Sequence, residues 1–246
     1  MLHYEISGNG KKPLVLLHGF MEDHTIWSDM ESHFSKEFTL IKIDLSGHGK
    51  SENNNAVNSM DFMAEKVKEV IEKLNLNKIN ILGHSMGGYV SLAFAEKFPE
   101  SIESLTLFFS TTLADDEEKK QIRRRSIAVI DENFETFVNT SIPNLFSNNE
   151  KDILEGKIEL AKKIAKSTNK EGVKAAQLGM AERPDRTEIL EKLEAKILII
   201  AGKYDNAVKT ENLLKALPDK TNIKTYVLDC GHCGHWEKPT ICAEII

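Results

Sequence analysis

The sequence predicts an α/β fold: a mostly parallel central sheet flanked by helices, with a helical insertion between two strands. Three observations predict it. Short apolar runs alternate with amphipathic stretches at helical spacing. The runs are continuous rather than apolar-polar alternating, as in strands buried on both faces of a parallel sheet. One long stretch, 112–190, shows helical patterns only. Residues 1–111 and 191–246 are therefore expected to form the core, and 112–190 a helical insertion between two of its strands.

Each element follows from its residues. Leu14-Val15-Leu16-Leu17 is an uninterrupted apolar run, and Leu40 to Ile43, Ile79 to Leu82, Leu105 to Phe109, Ile197 to Ala201 and Tyr226 to Leu228 are similar runs, some shorter or interrupted. Between them, Met60 to Leu74 places Phe62, Met63, Val67, Val70, Ile71 and Leu74 on one helical stripe. Met86 to Phe98 is small or apolar all round, as a buried helix would be. The insertion opens on Asp115-Asp116-Glu117-Glu118-Lys119-Lys120 and Arg123-Arg124-Arg125, read as solvated helix faces, with an arginine anion site as the sharper alternative. A helix over Ile153 to Ile164 follows, and Asp185-Arg186-Thr187-Glu188 reads as a capping box before Ile189, Leu190 and Leu193.

Composition excludes several classes. At 246 residues the chain suits one large domain or a core with an insertion. Apolar residues at 41% and charged residues at 28% are ordinary for a folded chain. A net charge of −6 offers no basic surface for nucleic acid. The N-terminus, Met1-Leu2-His3-Tyr4-Glu5, has neither a basic stretch nor an apolar core of a signal peptide, and no apolar run could span a bilayer. Three cysteines, all within Cys230 to Cys242, make no disulfide framework, so a cytoplasmic protein is expected. Oligomeric state is not readable.

The chemistry starts at Gly83-His84-Ser85-Met86-Gly87-Gly88, between an apolar strand and a buried helix. This is a Gly-x-Ser-x-Gly turn in its required strand–turn–helix setting. The glycines are there because a Cβ at either flank would strike neighbouring backbone. The turn presents the Ser85 hydroxyl and aims the Met86 amide, at a helix N-terminus, at a developing oxyanion.

With this motif the chain resembles the α/β-hydrolase family, nearest its serine carboxylesterase and 3-oxoadipate enol-lactonase-like branch. Leu16-Leu17-His18-Gly19-Phe20 is similar to the family's His-Gly oxyanion loop, which implies the Phe20 amide as second donor. Asp44-Leu45-Ser46-Gly47-His48-Gly49-Lys50-Ser51 resembles a structural glycine loop. A serine needs an adjacent base oriented by a third group. Gly231-His232-Cys233-Gly234-His235-Trp236-Glu237-Lys238-Pro239 looks like the family's ending, in which the first histidine is the base; that implies His232, with His235 structural. Ala201-Gly202-Lys203-Tyr204-Asp205 resembles the loop carrying the acid, so Asp205 is expected on His232, with Asp229 the lesser candidate. Cys230 and Cys233 interleave with the two histidines in a pattern that by itself suits a soft metal or redox site. The family pattern already accounts for both histidines, and a zinc-bound base could not take a proton from Ser85, so no metal and no cofactor are expected. The chain ends at Ile246, soon after this motif, which fits a compact or a truncated last helix.

The resemblance implies an acyl-enzyme hydrolase of small or medium esters or lactones, an α/β-hydrolase core with the insertion 112–190 as its helical cap. The segment Gly179 to Arg186 looks like the cap exit of the enol-lactonase-like enzymes and small bacterial carboxylesterases. Serine at the nucleophile position argues against the branches that use Asp there. Two other readings stay open: a carbon–carbon bond hydrolase or lyase on the same three residues, and a ligand-binding protein that keeps the fold without hydrolysis.

Overall fold

A computed structural model describes residues 1–246. Seven strands, β1 (Tyr4–Ser7), β2 (Lys12–Leu17), β3 (Phe38–Ile43), β4 (Ile79–His84), β5 (Ile102–Phe108), β6 (Lys196–Gly202) and β7 (Ile223–Leu228), form one sheet in the order β1-β3-β2-β4-β5-β6-β7. Every neighbouring pair is parallel except β1 with β3. β1 escapes sequence reading because it is a four-residue edge strand with no apolar run. At the other edge the expectation of two buried faces fails: Tyr226 and Val227 of β7 are exposed.

The helices are α1 (Ser28–Phe34), α2 (Met60–Lys73), α3 (Met86–Lys97), α4 (Glu117–Ser141), α5 (Glu155–Ser167), α6 (Lys170–Glu182), α7 (Thr187–Lys192), α8 (Thr210–Ala216), α9 (Gly234–Glu237) and α10 (Pro239–Ile245). Side-chain alternation along the strands divides the core in two. Val15 and Leu17 of β2 pack with α2 and α3 on one face. Leu14 and Leu16 pack with α1 and the inserted helices on the other. Met63, Val67, Val70 and Ile71 of the α2 stripe lie buried, with Phe62 and Leu74 partly buried at its ends, and Ser59 caps the helix through a 3.1 Å bond from the Phe62 amide.

Between β5 and β6 the chain is helical throughout, α4 to α7, with no strand. α4 breaks at Asn133 (φ −153°, ψ 87°), whose side chain accepts from the Thr136 amide at 2.9 Å and so caps the second half. α5 starts at Glu155, later than the apolar spacing suggests, because Ile153 lies in the preceding turn and is exposed. The capping box does not form: Asp185 accepts from Thr187, two residues on, and Glu188 turns away to Lys192. Arg186 instead docks this exit onto the core, bonding Asp61 of α2 and Glu96 of α3 at 2.7 and 2.8 Å. No helix is long and apolar enough to cross a membrane.

Candidate active site

β2 and β4 are hydrogen-bonded neighbours, Leu17 opposite Gly83, although β3 lies between them in sequence. The chain reverses its winding there, so the loops leaving the two strands share one side of the sheet. The first is His18-Gly19-Phe20; the second is the turn at Ser85. Ser85 sits at φ 49°, ψ −111°, a conformation that costs a non-glycine residue about 1–3 kcal/mol. Packing holds it there. Its amide donates to the Phe108 carbonyl at 3.0 Å, and its own carbonyl accepts from Gly88 at 2.9 Å. A Cβ on Gly83 would lie 2.3 Å from the Gly87 carbonyl oxygen, and one on Gly87 2.3 Å from that of Leu17. Met86 is the first residue of α3, so its amide has no intrahelical partner.

His232 and Asp205 arrive from the loops after β7 and β6. His232 Nδ1 donates to Asp205 Oδ2 at 2.7 Å, and both side chains are buried. The other Asp205 oxygen accepts from the Ala207 and Val208 amides at 2.7 and 2.8 Å, fixing the carboxylate plane. Asp229 is elsewhere: its carboxylate is exposed and pairs with Lys203 at 3.2 Å. The His232 loop is held by Glu237, which accepts from the Gly231, Cys233 and Ser147 amides, and by the His232 amide, which donates to Leu145 at 2.7 Å. Sequence reading assigned Glu237 no role.

Ser85, His232 and Phe20 line one cavity of about 560 Å³ between the sheet edge and the inserted helices. Ser85 and His232 face this cavity without a direct hydrogen bond between them, a contact that in active sites commonly forms as substrate binds. Of the expected residues, the structure thus brings Ser85, His232 and Phe20 onto one cavity, with Asp205 bonded to His232 and Met86 heading the helix that follows Ser85.

The insertion's charge runs are not all solvated. Asp115 is buried, and Arg123 and Arg183 both bind its carboxylate, the second at 2.8 Å. Arg123 also donates to Gln177 at 3.0 Å, and Arg183 lies over the Tyr89 ring at 4.0 Å. Burial opposes ionisation of Asp115, but the two guanidinium groups win and hold its carboxyl below the usual range. Nothing local in the sequence distinguishes Arg123 from Arg124 and Arg125; the partner is Asp115, eight residues back.

Cys230, Cys233 and Cys242 are free and buried. Burial pushes the Cys230 and Cys233 thiols up, and Cys242 up to about 12, so all three stay protonated. His235 is fully buried among His84, Trp236, Trp27 and Phe108, and neither of its ring nitrogens finds a hydrogen-bond partner.

A family model described as the alpha/beta hydrolase fold matches residues 12–239. The chain belongs to that family. Among solved structures, a thermophilic esterase from Thermogutta terrifontis with malate bound superposes on this hydrolase with a TM-score of 0.91 and 32% identity, over 99% of this chain and 90% of that one. The enol-lactonase from Burkholderia xenovorans LB400 superposes with a TM-score of 0.89 at 21% identity, over 99% and 94%; that similarity is one of fold. Among curated proteins, the 2-hydroxy-6-oxononadienedioate/2-hydroxy-6-oxononatrienedioate hydrolase of Escherichia coli K12 is 27% identical over 249 residues, covering 96% of this chain and 86% of its own length.

Proposed function

We propose that this hydrolase is a serine carboxylic ester hydrolase acting on small or medium esters, lactones included, through an acyl-enzyme. Ser85 attacks the acyl carbon while His232 Nε2 takes its proton. Asp205 keeps the second proton on Nδ1 and stabilises the imidazolium. The Phe20 and Met86 amides receive the tetrahedral oxyanion. His232 then protonates the leaving alcohol, and water repeats the sequence on the acyl-enzyme. Each step uses protons and lone pairs that these groups supply, so the reaction asks for no cofactor. Residues 112–190 act as a cap that walls the substrate pocket and excludes water. Three unpaired, protonated thiols suit a reducing cytoplasm.

The observation that carries the reading is the 2.7 Å bond between His232 Nδ1 and Asp205 on a cavity shared with Ser85. It leaves His232 Nε2 as the acceptor. The 32% identity to an esterase supports the ester as substrate. The test is hydrolysis of p-nitrophenyl acetate and butyrate by wild type and Ser85→Ala. Turnover lost by about three orders of magnitude or more in a folded variant is expected. Retained turnover removes Ser85 from the reaction.

A second reading, a carbon–carbon bond hydrolase, draws on the Escherichia coli relative and on Arg123 and Arg183 in the cavity wall. Faster turnover of 2-hydroxy-6-oxononadienedioate than of any nitrophenyl ester would favour it.

A further inference from the structure

Against the Ser85 cavity lies a buried ionic pair that the acylation steps do not use. Glu22 lies just past the His18-Gly19-Phe20 loop, and His84 is the last residue of β4, immediately before Ser85. Both are buried. One oxygen, Glu22 Oε2, accepts two N–H groups: the Gly19 amide at 2.6 Å and His84 Nδ1 at 2.8 Å. The other ring nitrogen of His84 lies 3.0 Å from the backbone carbonyl oxygen of His232. A carbonyl oxygen can only accept, so Nε2 carries a proton. Nδ1 faces an oxygen that already accepts the Gly19 amide. The arrangement is an imidazolium between a carboxylate and a carbonyl.

We propose that the Glu22–His84 pair is a positioning clamp: it ties the oxyanion loop, the nucleophile strand and the base loop into one hydrogen-bonded chain. The inference rests on the roles given above to Ser85, Phe20 and His232, and it adds two residues to them. Each end of the chain is next to a working group. Gly19 precedes Phe20, His84 precedes Ser85, and the accepted carbonyl is that of His232 itself. The linked segments are 62 and 148 residues apart, so no local motif sets their spacing. Small errors in such spacing cost rate heavily.

The surroundings agree with an ionised pair. Burial opposes the charge on Glu22, but the His84 cation beside it and the bonds from His84 and Gly19 hold its carboxyl down at about 2. Burial also opposes the charge on His84, and Glu22 overrides it and raises the imidazole. The other titratable groups near His84 are Asp205 after β6, Cys233 and His232 in the loop before α9, His235 on α9, and Lys157 of α5 farther out. His235 is driven neutral, first by burial and then by the His84 charge. The His84 and His232 ring centroids are 5.0 Å apart, so a bare cation at His84 would repel a proton arriving on the base. Glu22 cancels that field.

The test uses Glu22→Gln, His84→Gln and the double variant. Two rates are followed against pH: turnover of p-nitrophenyl acetate, and labelling of Ser85 by a fluorophosphonate. His84→Gln leaves a bare carboxylate beside the base. Its acid limb of kcat/KM is expected to move up by about one pH unit or more, with kcat down at least about tenfold and KM within about twofold. The double variant removes both charges and is expected to restore the limb but not kcat. Unchanged kcat and pH limb, with only a lower melting temperature, would make the pair merely structural and overturn the clamp. Full recovery of kcat in the double variant would also overturn it. A folded wild type inert to fluorophosphonate refutes the Ser85 reading instead. The ion pair is then read directly from long-range 1H–15N spectra of wild type: both His84 nitrogens protonated at about pH 7.5 is expected, and a neutral ring would overturn the proposal. The same spectra decide the matter if a variant fails to fold.

Discussion

Asp205→Asn isolates the tautomer argument, because the structure dictates how the new amide must sit. Two backbone N–H groups, those of Ala207 and Val208, point at Oδ1 from 2.7 and 2.8 Å. An asparagine NH2 placed there would meet two donors, so the amide oxygen takes that position. The NH2 is then forced against His232 Nδ1, where the carboxylate now accepts at 2.7 Å. To accept from it, His232 must drop its Nδ1 proton and carry one on Nε2 instead. That nitrogen can no longer take the proton of Ser85. A wrong-tautomer substitution of this kind costs about 10⁴ in kcat, which is roughly 5.5 kcal/mol of barrier. The fold loses only one charge-assisted bond, roughly 1–2 kcal/mol, which is a few degrees in Tm for a chain of this size. The assay is kcat for p-nitrophenyl acetate with thermal melts of the same preparations. A folded Asp205→Asn enzyme retaining kcat within tenfold of wild type would refute the reasoning, since the base would then work without a carboxylate partner.

Gly83→Ala places a Cβ 2.3 Å from a backbone oxygen, so it should cost roughly 3 kcal/mol or more of stability, visible as a shifted urea midpoint. The buried thiols should resist 5,5′-dithiobis(2-nitrobenzoate) in the native protein near pH 8 and react fully in urea; prompt native labelling would contradict their burial. Glu22, lowered from 4.5 to about 2, contributes stability that is complete above pH 4.5 and lost as pH falls towards 2. His84, raised above 6.5, contributes below 6.5 and loses its share as pH rises through its folded value. Melting temperature against pH should therefore fall less steeply from 4.5 to 2 in Glu22→Gln than in wild type, and parallel curves would count against the pair.

Much of the architecture was legible because its signals are local. A strand buried on both faces writes itself as a continuous apolar run, and Val15 and Leu16 indeed serve opposite cores. The Ser85 turn is legible because its steric demands fall on Gly83 and Gly87 within five residues. Asp205 and His232 were found as single points on separate loops, and only the fold joins them. What stayed hidden lies in contacts between remote segments. The partner of Arg183 is Asp115, 68 residues away, and Glu22 reaches His84 across 62. β1 was missed for a different reason: four half-exposed residues at a sheet edge need no apolar run.

The insertion is pinned at both ends by charges rather than by strands, and this divides the labour of the molecule. Asp115, at its entrance, holds Arg183, at its exit, so the two ends are tied to each other. Arg186 then fastens the exit to α2 and α3. The segment between also meets the loop after β7, but through backbone groups, the Leu145 carbonyl and the Ser147 amide, so the side chains it presents to the cavity can vary without breaking those bonds. The loops after β2, β4, β6 and β7 take their positions from strand register and from buried bonds such as Glu237 with the His232 loop. Substitutions at Ile122 or Phe137, which line the cavity from α4, should accordingly change KM and substrate order while leaving the Ser85 labelling rate near wild type. Removing Asp115 should do the opposite: it strands the buried Arg183 guanidinium and frees the part-buried Arg123, at a cost of roughly 3–5 kcal/mol read as a lowered urea midpoint, and unfastens the wall as a whole.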